Sequence, residues 1–375
     1  MGAIEKFQEV IANHHEYAKG WKQKRGGKVV GWLCTYVPEE IIHAAGMLPV
    51  RMLGSHEPQD ITDPYIFSIY CPFCRDILAQ GLKGRYDYLD GMVKARSCVH
   101  IRNTFLNWRQ HIPIDFTHYI YMPAHVQSLR AKPLLTKEYL DFKKALEKWG
   151  GSSISEEDLD RAIEVYNTSR KLMKQVYELR KSDNPPITGA ESMAMVISSQ
   201  LMDKSEHNRL LEQLLKELAV RKSDRKTGIR LMLVGSENDD IDFVRMTEDL
   251  GTTVVIDEDC SGSRYFWGEV VPEENRLAAI AARYVNRAPC PTKDWPERRR
   301  LPNILRMARD YHVQGVILYQ QKSCDSHEFE TPALEAMFRK NKIPTLSLEF
   351  DVTNPFGQFR TRIEAFLEIL SMEGS

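Results

Sequence analysis

The chain has no long apolar run, no excess of either charge and too few cysteines for a disulfide-knit fold. Across its 375 residues, no apolar stretch approaches the length that spans a bilayer. A membrane partner is therefore not expected. Basic and acidic residues number 51 and 52, for a formal charge of −1. No long-range field gathers polyanions, which excludes nucleic acid as an expected partner. The opening MGAIEKFQEVIANHHEYAKG alternates charged with apolar residues and lacks the basic start and apolar centre of a secretory signal, so the expected location is cytoplasmic. Position 6 is Lys, where a myristoylation signal takes Ser or Thr. No G-x-x-x-x-G-K-[ST] occurs, and CSGSRYF is too slight a phrase to claim a dinucleotide. If ATP is used, another chain handles it.

What is present is an alternation of short apolar runs with amphipathic stretches. Lys28 to Leu53 reads as a βαβ unit, with a β-branched run, a Pro-Glu-Glu helix start and a second apolar run at Leu48–Met52. Further strands are predicted at Ile66–Tyr70, Leu89–Lys94 and His118–Met122, with a helix over Arg75–Leu82. From Thr136 to Lys222 apolar residues recur three and four apart, as in EEDLDRAIEVYNTSRKLMKQVYELRK, which predicts long helices with solvated charged faces. Strands return after Asp224 in GIRLMLVG, TTVVID, GVILYQ and PTLSLEF, separated by helical stretches. The expected fold is α/β, with two parallel-sheet Rossmann- or flavodoxin-like domains joined by a helical segment. The boundaries fall at 1–135, 136–224 and 225–375. No short-period repeat or low-complexity linker is present.

The seven cysteines are an odd number for a long chain of intracellular character, which leaves metal, catalysis or burial to account for them. Three of them follow predicted strands, where ligands collect in parallel α/β units: Cys71, Cys98 and Cys324. CPFC has the C-x₂-C form of a zinc knuckle, but no second nearby pair completes it. A redox dithiol of Cys71 and Cys74 leaves Cys98 and Cys324 without a role. Three thiolates on an iron–sulfur cluster explain the placement better and leave one iron open. Simple burial stays a competing reading, and it is the one assigned to Cys34, Cys260 and Cys290. Cys34 and Cys260 nevertheless sit near strand ends.

Four segments, GWLCTYVPEEIIHAAGMLPVRMLG, YCPFCRDILAQGLKGRYDYLDGMVKARSC, DEDCSGSRYFW and GVILYQQKSCDSHEFETPALEAMF, resemble the family of 2-hydroxyacyl-CoA dehydratases and ATP-dependent benzoyl-CoA reductases. The phrases YCPFCRD and RSCVHIRN most resemble the smaller substrate-binding subunit of the class I reductases. The resemblance implies a catalytic subunit that pairs with a homologous substrate-binding subunit, each holding a 4Fe–4S cluster on three cysteines. Those cysteines map onto Cys71, Cys98 and Cys324; Cys74 is an extra thiol that departs from the pattern and could reach the iron in place of Cys71, which is preferred because it precedes the proline. It also implies an ATP-hydrolysing iron–sulfur activator, ferredoxin as indirect donor and an aromatic acyl-CoA substrate. The implied reaction is reduction of benzoyl-CoA to a cyclohexadienoyl-CoA in anaerobic aromatic degradation. The alternatives are a ketyl-radical 2-hydroxyacyl-CoA dehydratase subunit and a non-catalytic scaffold subunit.

Ring reduction needs protons as well as electrons, and His100 and His327 lie just beyond Cys98 and Cys324. Both are candidate acids, substrate contacts or supports for the cluster. Glu39 and Glu40 are read as helix-start carboxylates rather than an acid–base pair. Arg264 is a candidate contact for a phosphate or a partner subunit, with a surface or strand-end arginine the slightly favoured reading. Tyr265, Phe266 and Trp267, and the Met-rich ESMAMVISSQLM, are read as packing.

Overall fold

The computed structural model describes residues 1–221 and 226–373. Among the described residues, eight strands form two parallel sheets, as the near-continuous apolar runs require when both faces of a sheet are covered. The first contains β1 (Val29–Trp32), β2 (Leu48–Arg51), β3 (Gly91–Ala95) and β4 (Phe116–Ile120), in the order β2-β1-β3-β4. The second contains β5 (Ile229–Gly235), β6 (Thr252–Glu258), β7 (Gly315–Gln321) and β8 (Thr345–Phe350), in the order β6-β5-β7-β8. The two halves therefore repeat one topology. In each, the chain leaves the first strand toward one side and returns to the other, which creates a switch point between β1 and β3 and between β5 and β7.

Between the sheets run the helices Ala131–Gly150, Glu156–Leu179, Gly189–Ser199 and Lys204–Val220. Ser155 starts the second of these with a reciprocal cap to Asp158, which satisfies two backbone donors at the helix start. Every residue of Gly189–Ser199 except Glu191 is buried. One apolar core holds Val93 of β3 and Val234 of β5 together with Tyr139, Tyr177 and Met195 of these helices. The helices thus share their core with both sheets. We retain the partition at 135/136 and 224/225 as a proposal; residues 224 and 225 lie outside the described residues.

One predicted strand is absent. Ile66–Tyr70 forms turns, with the Ile66 amide donating to the Thr62 carbonyl and the Tyr70 amide to that of Phe67. Phe67 and Ile69 are 75% and 70% exposed, so the apolar character that suggested a strand is not spent on a sheet face. No helix among the described residues is long and apolar enough to cross a membrane.

Candidate functional site

The carboxyl ends of the two sheets face a common cavity. Cys71, Cys98 and Cys324 all line it, the first two from the β1–β4 half and the third from the β5–β8 half. Their local settings are similar. Cys71 caps the helix Pro72–Leu82, where the proline at the first helical position costs no hydrogen bond. Cys98 caps the helix Val99–His111, and its Sγ accepts from the Ile101 amide at 3.5 Å. Cys324 precedes the short helical turn Asp325–Glu328. Orphan backbone amides at the two longer helix starts favour a thiolate at each cap.

The extra thiol is distinguished by its electrostatics. A hydrogen bond with Cys74, opposed by burial and reinforced by His100, brings the Cys71 thiol down to about 6. Burial and the neighbouring Cys71 push Cys74 well above the ordinary thiol range. Of the pair, Cys71 is the one prepared to ionise. Burial pushes Cys98 up to about 12 and Cys324 well above its ordinary value, so both remain thiols until a metal displaces their protons.

Both predicted histidines line the cavity. His100 Nδ1 accepts the backbone N–H of Cys71 at 3.0 Å, which assigns the proton of the neutral ring to Nε2. That nitrogen lies 4.0 Å from Asp325 Oδ2, so one ring spans the loops that carry Cys71 and Cys324. His327 is buried, and burial, then Arg300 and Arg264, hold it well below the ordinary histidine range. It sits in the cavity as a neutral imidazole.

Other residues at the site carried no motif. Arg51, at the end of β2, donates to the Cys260 carbonyl at 2.9 Å and pairs with Glu237 at 3.0 Å, linking the two halves across the cavity. Glu237 follows β5 and also accepts from Ser261 Oγ at 2.8 Å. Burial, then the charge of Asp239, raises its carboxyl to about 8, which makes it a proton carrier near neutral pH. Its only sequence signal was a carboxylate just beyond a strand end. Gly235 closes the floor at the same point: a Cβ there would meet the Tyr319 carbonyl oxygen at 2.2 Å, so no larger residue fits between β5 and β7.

Two readings of the sequence change here. Arg264 is buried and donates to the Gly235 carbonyl at 2.7 Å, because the loop after β6 folds inward over the sheet rather than outward. Cys34, Cys260 and Cys290 are only partly buried and line the cavity as well, so all seven thiols of the chain meet there. Glu39 and Glu40 do begin a helix, but both are buried, with Glu40 paired to Arg170. Tyr265 packs within the interior, where its hydroxyl accepts from Lys204.

The fold and the cavity together define an open α/β protein with a cysteine-lined candidate site at the switch points of two parallel sheets. The chain belongs to the family described as 2-hydroxyglutaryl-CoA dehydratase, D-component, which it matches over residues 34–370. It is 29% identical to the (R)-phenyllactyl-CoA dehydratase beta subunit of Clostridium sporogenes, over 97% of each chain. It is 27% identical to a benzoyl-CoA reductase subunit of Thauera aromatica, over 89% of this chain and 88% of that one. The (R)-2-hydroxyglutaryl-CoA dehydratase beta subunit of Acidaminococcus fermentans is 28% identical, over 98% of each.

The donors present suit an iron–sulfur cluster. Among the described residues, no group of three or more His, Cys, Asp or Glu side chains is placed to hold a single metal ion. Cysteines that bind separate irons of one cluster need not converge on a point, and soft thiolates are its usual ligands.

Proposed function

We propose that this chain is an iron–sulfur catalytic subunit of a cytoplasmic, ATP-driven reductase, with a 4Fe–4S cluster held by Cys71, Cys98 and Cys324. The observation that carries this reading is the meeting of those three cysteines, drawn from both halves of the chain, at one cavity. When bound, the cluster supplies single electrons at low potential and one iron without a protein ligand. The enzyme is made whole by a second, homologous subunit, and an ATP-hydrolysing iron–sulfur activator, itself fed by ferredoxin, delivers the electrons. The partner assignment is supported by relatives that are themselves named as subunits.

The chain's own residues prepare the cavity for proton-coupled reduction. Leu33, Phe73 and Ile101 present apolar side chains to the cavity. His100 holds a proton at Nε2, and Glu237 holds one at its carboxyl below about pH 8, so each can supply a proton when negative charge develops on substrate. Arg51 orients Glu237 and fixes the loop bearing Cys260.

The particular reaction we assign is reduction of benzoyl-CoA to a cyclohexadienoyl-CoA, in keeping with the likeness to a benzoyl-CoA reductase subunit. A second reading, elimination of water from a 2-hydroxyacyl-CoA, draws on the likeness to two dehydratase beta subunits. Electron stoichiometry separates them. The anaerobic complex, given limiting reductant and either thioester, consumes electrons with every turnover if it is a reductase. Turnover of a 2-hydroxyacyl-CoA after priming alone would replace the first reading with the second. A chain that binds no iron after anaerobic purification would instead be a scaffold.

A further inference from the structure

Three thiols complete the proposed cluster, yet the cavity has four more. Cys74 is the buried neighbour of Cys71, but Cys34, Cys260 and Cys290 come from three other places: the loop after β1, the loop after β6, and the residue before the short turn Pro291–Lys293. Residues so far apart in sequence have no shared local reason to present sulfur to one space. Each is partly exposed, and the exposed side belongs to the cavity wall. Packing alone would have favoured full burial.

The electrostatic neighbours sort the thiols into two groups. Cys260 is raised to about 11, chiefly by burial, and the thiols that act on it are Cys290 and Cys34. Cys324 is raised chiefly by burial, and the thiols that act on it most are Cys71 and Cys98. Cys98 feels Cys34 and Cys290 as well as Cys71, so the groups adjoin.

Buried cations provide an independent observation on the Cys34 and Cys290 side. Lys94 is 0% exposed and donates to the Tyr119 hydroxyl. Lys293 is 2% exposed and donates to the Pro123 carbonyl. Arg287 is 8% exposed, donates to Thr35 Oγ1, and has no hydrogen-bond partner at Nε or Nη1. None of the three forms an ion pair with a carboxylate among the described residues. Cys34 is an electrostatic neighbour of both lysines, and Cys290 of Lys293. Burying three cations without counter-charge is costly, and an anionic group bound through thiolates would remove that cost.

We propose that Cys34, Cys260 and Cys290 form a second thiolate triad, which binds a further iron–sulfur unit in the same cavity as the one on Cys71, Cys98 and Cys324. This rests on the iron–sulfur reading above and extends it from one unit per chain to two. On binding, each thiol releases its proton to solvent and its sulfur bonds to iron; no electron is transferred in that step. Lys94, Arg287 and Lys293 then compensate the negative charge of the second unit. Cys74 remains a free thiol.

Iron and acid-labile sulfide counts on the full chain, reconstituted anaerobically with iron and sulfide, test the assignment. The wild type is expected to hold about eight irons, twice the content of one cubane cluster. Cys34→Ser, Cys260→Ser and Cys290→Ser are each expected to lose about half of it, and Cys74→Ser none. The wild-type count stands as evidence even if a variant fails to fold. About four irons in the wild type would overturn the proposal and leave the single-cluster reading intact. So would zinc in place of the second half. A wild type that binds no iron would overturn both.

Discussion

At the scale of single residues, the site depends on which groups can give up or hold a proton. Cys71 is brought down to about 6 while burial holds Cys74 far above it, so Cys71→Ser is expected to lose iron and Cys74→Ser to keep it. Metal analysis of the two variants checks this. Glu237 makes a sharper kinetic prediction. Its carboxyl, raised to about 8 by burial and Asp239, donates below that pH, so the wild-type rate is expected to fall as pH rises through about 8. Glu237→Gln is expected to lower turnover by about 10²-fold, the usual share of a positioned acid, and to abolish that limb with iron content unchanged. Cys98 and Cys324 do follow strands, as their neighbouring sequence suggested, whereas Cys71 was placed by a strand at Ile66–Tyr70 that does not form, and it reaches the cavity as the cap of the helix Pro72–Leu82. Glu237 was not legible, since a lone carboxylate after a strand carries no signal until burial and a neighbouring charge shift it.

At the scale of elements, the strands and long helices were read from hydrophobic period together with β-branched and helix-start signals, and, Ile66–Tyr70 apart, the structure repeats them with small changes at their ends. The failure at Ile66–Tyr70 has a specific cause: side chains of strand-forming type are turned out to solvent. Glu39 and Glu40 were placed correctly at a helix start, but their burial depends on a partner that sequence does not show. The Glu40 carboxyl is opposed by burial, yet Arg170 and Arg283 outweigh it and hold the carboxyl below its ordinary range. This ties the helix Glu39–Ala44 to the helix Glu156–Leu179. Arg170→Met strands the Glu40 charge in the interior and is expected to cost about 3–5 kcal/mol, measurable by denaturant unfolding. A loss under about 1 kcal/mol, the value of an exposed pair, would contradict a buried ion pair here.

At the scale of the whole molecule, function requires that the two sheets keep their carboxyl ends opposed. His56, beyond β2, and Asp239, beyond β5, meet at 2.8 Å and join the halves beside the cavity. Asp239 raises His56 to about 10, against the opposing effect of burial, and His56 in turn holds Asp239 below its ordinary range. The histidine's contribution to stability is therefore fully present below its unfolded value and is lost as pH rises through about 10. Asp239 contributes above its own unfolded value and loses that contribution as pH falls. The difference in melting temperature between wild type and His56→Gln is expected to be largest in the window between and to vanish above about pH 10. The repeated topology places the thiols of both halves around one cavity, an outcome the sequence could suggest for three cysteines but not for seven, because it depends on how loops of separate sheets face one another. The central claim is that Cys71, Cys98 and Cys324 together hold an iron–sulfur cluster. Its most direct test is iron and sulfide content, with electron paramagnetic resonance, on anaerobically isolated wild type and the three single Cys→Ser variants at those positions. The wild type is expected to show a reducible cluster signal, and each variant to lose the part of that signal and the roughly four irons per chain that belong to this cluster. A wild type without iron, or iron content and signal in all three variants equal to those of the wild type, would contradict it.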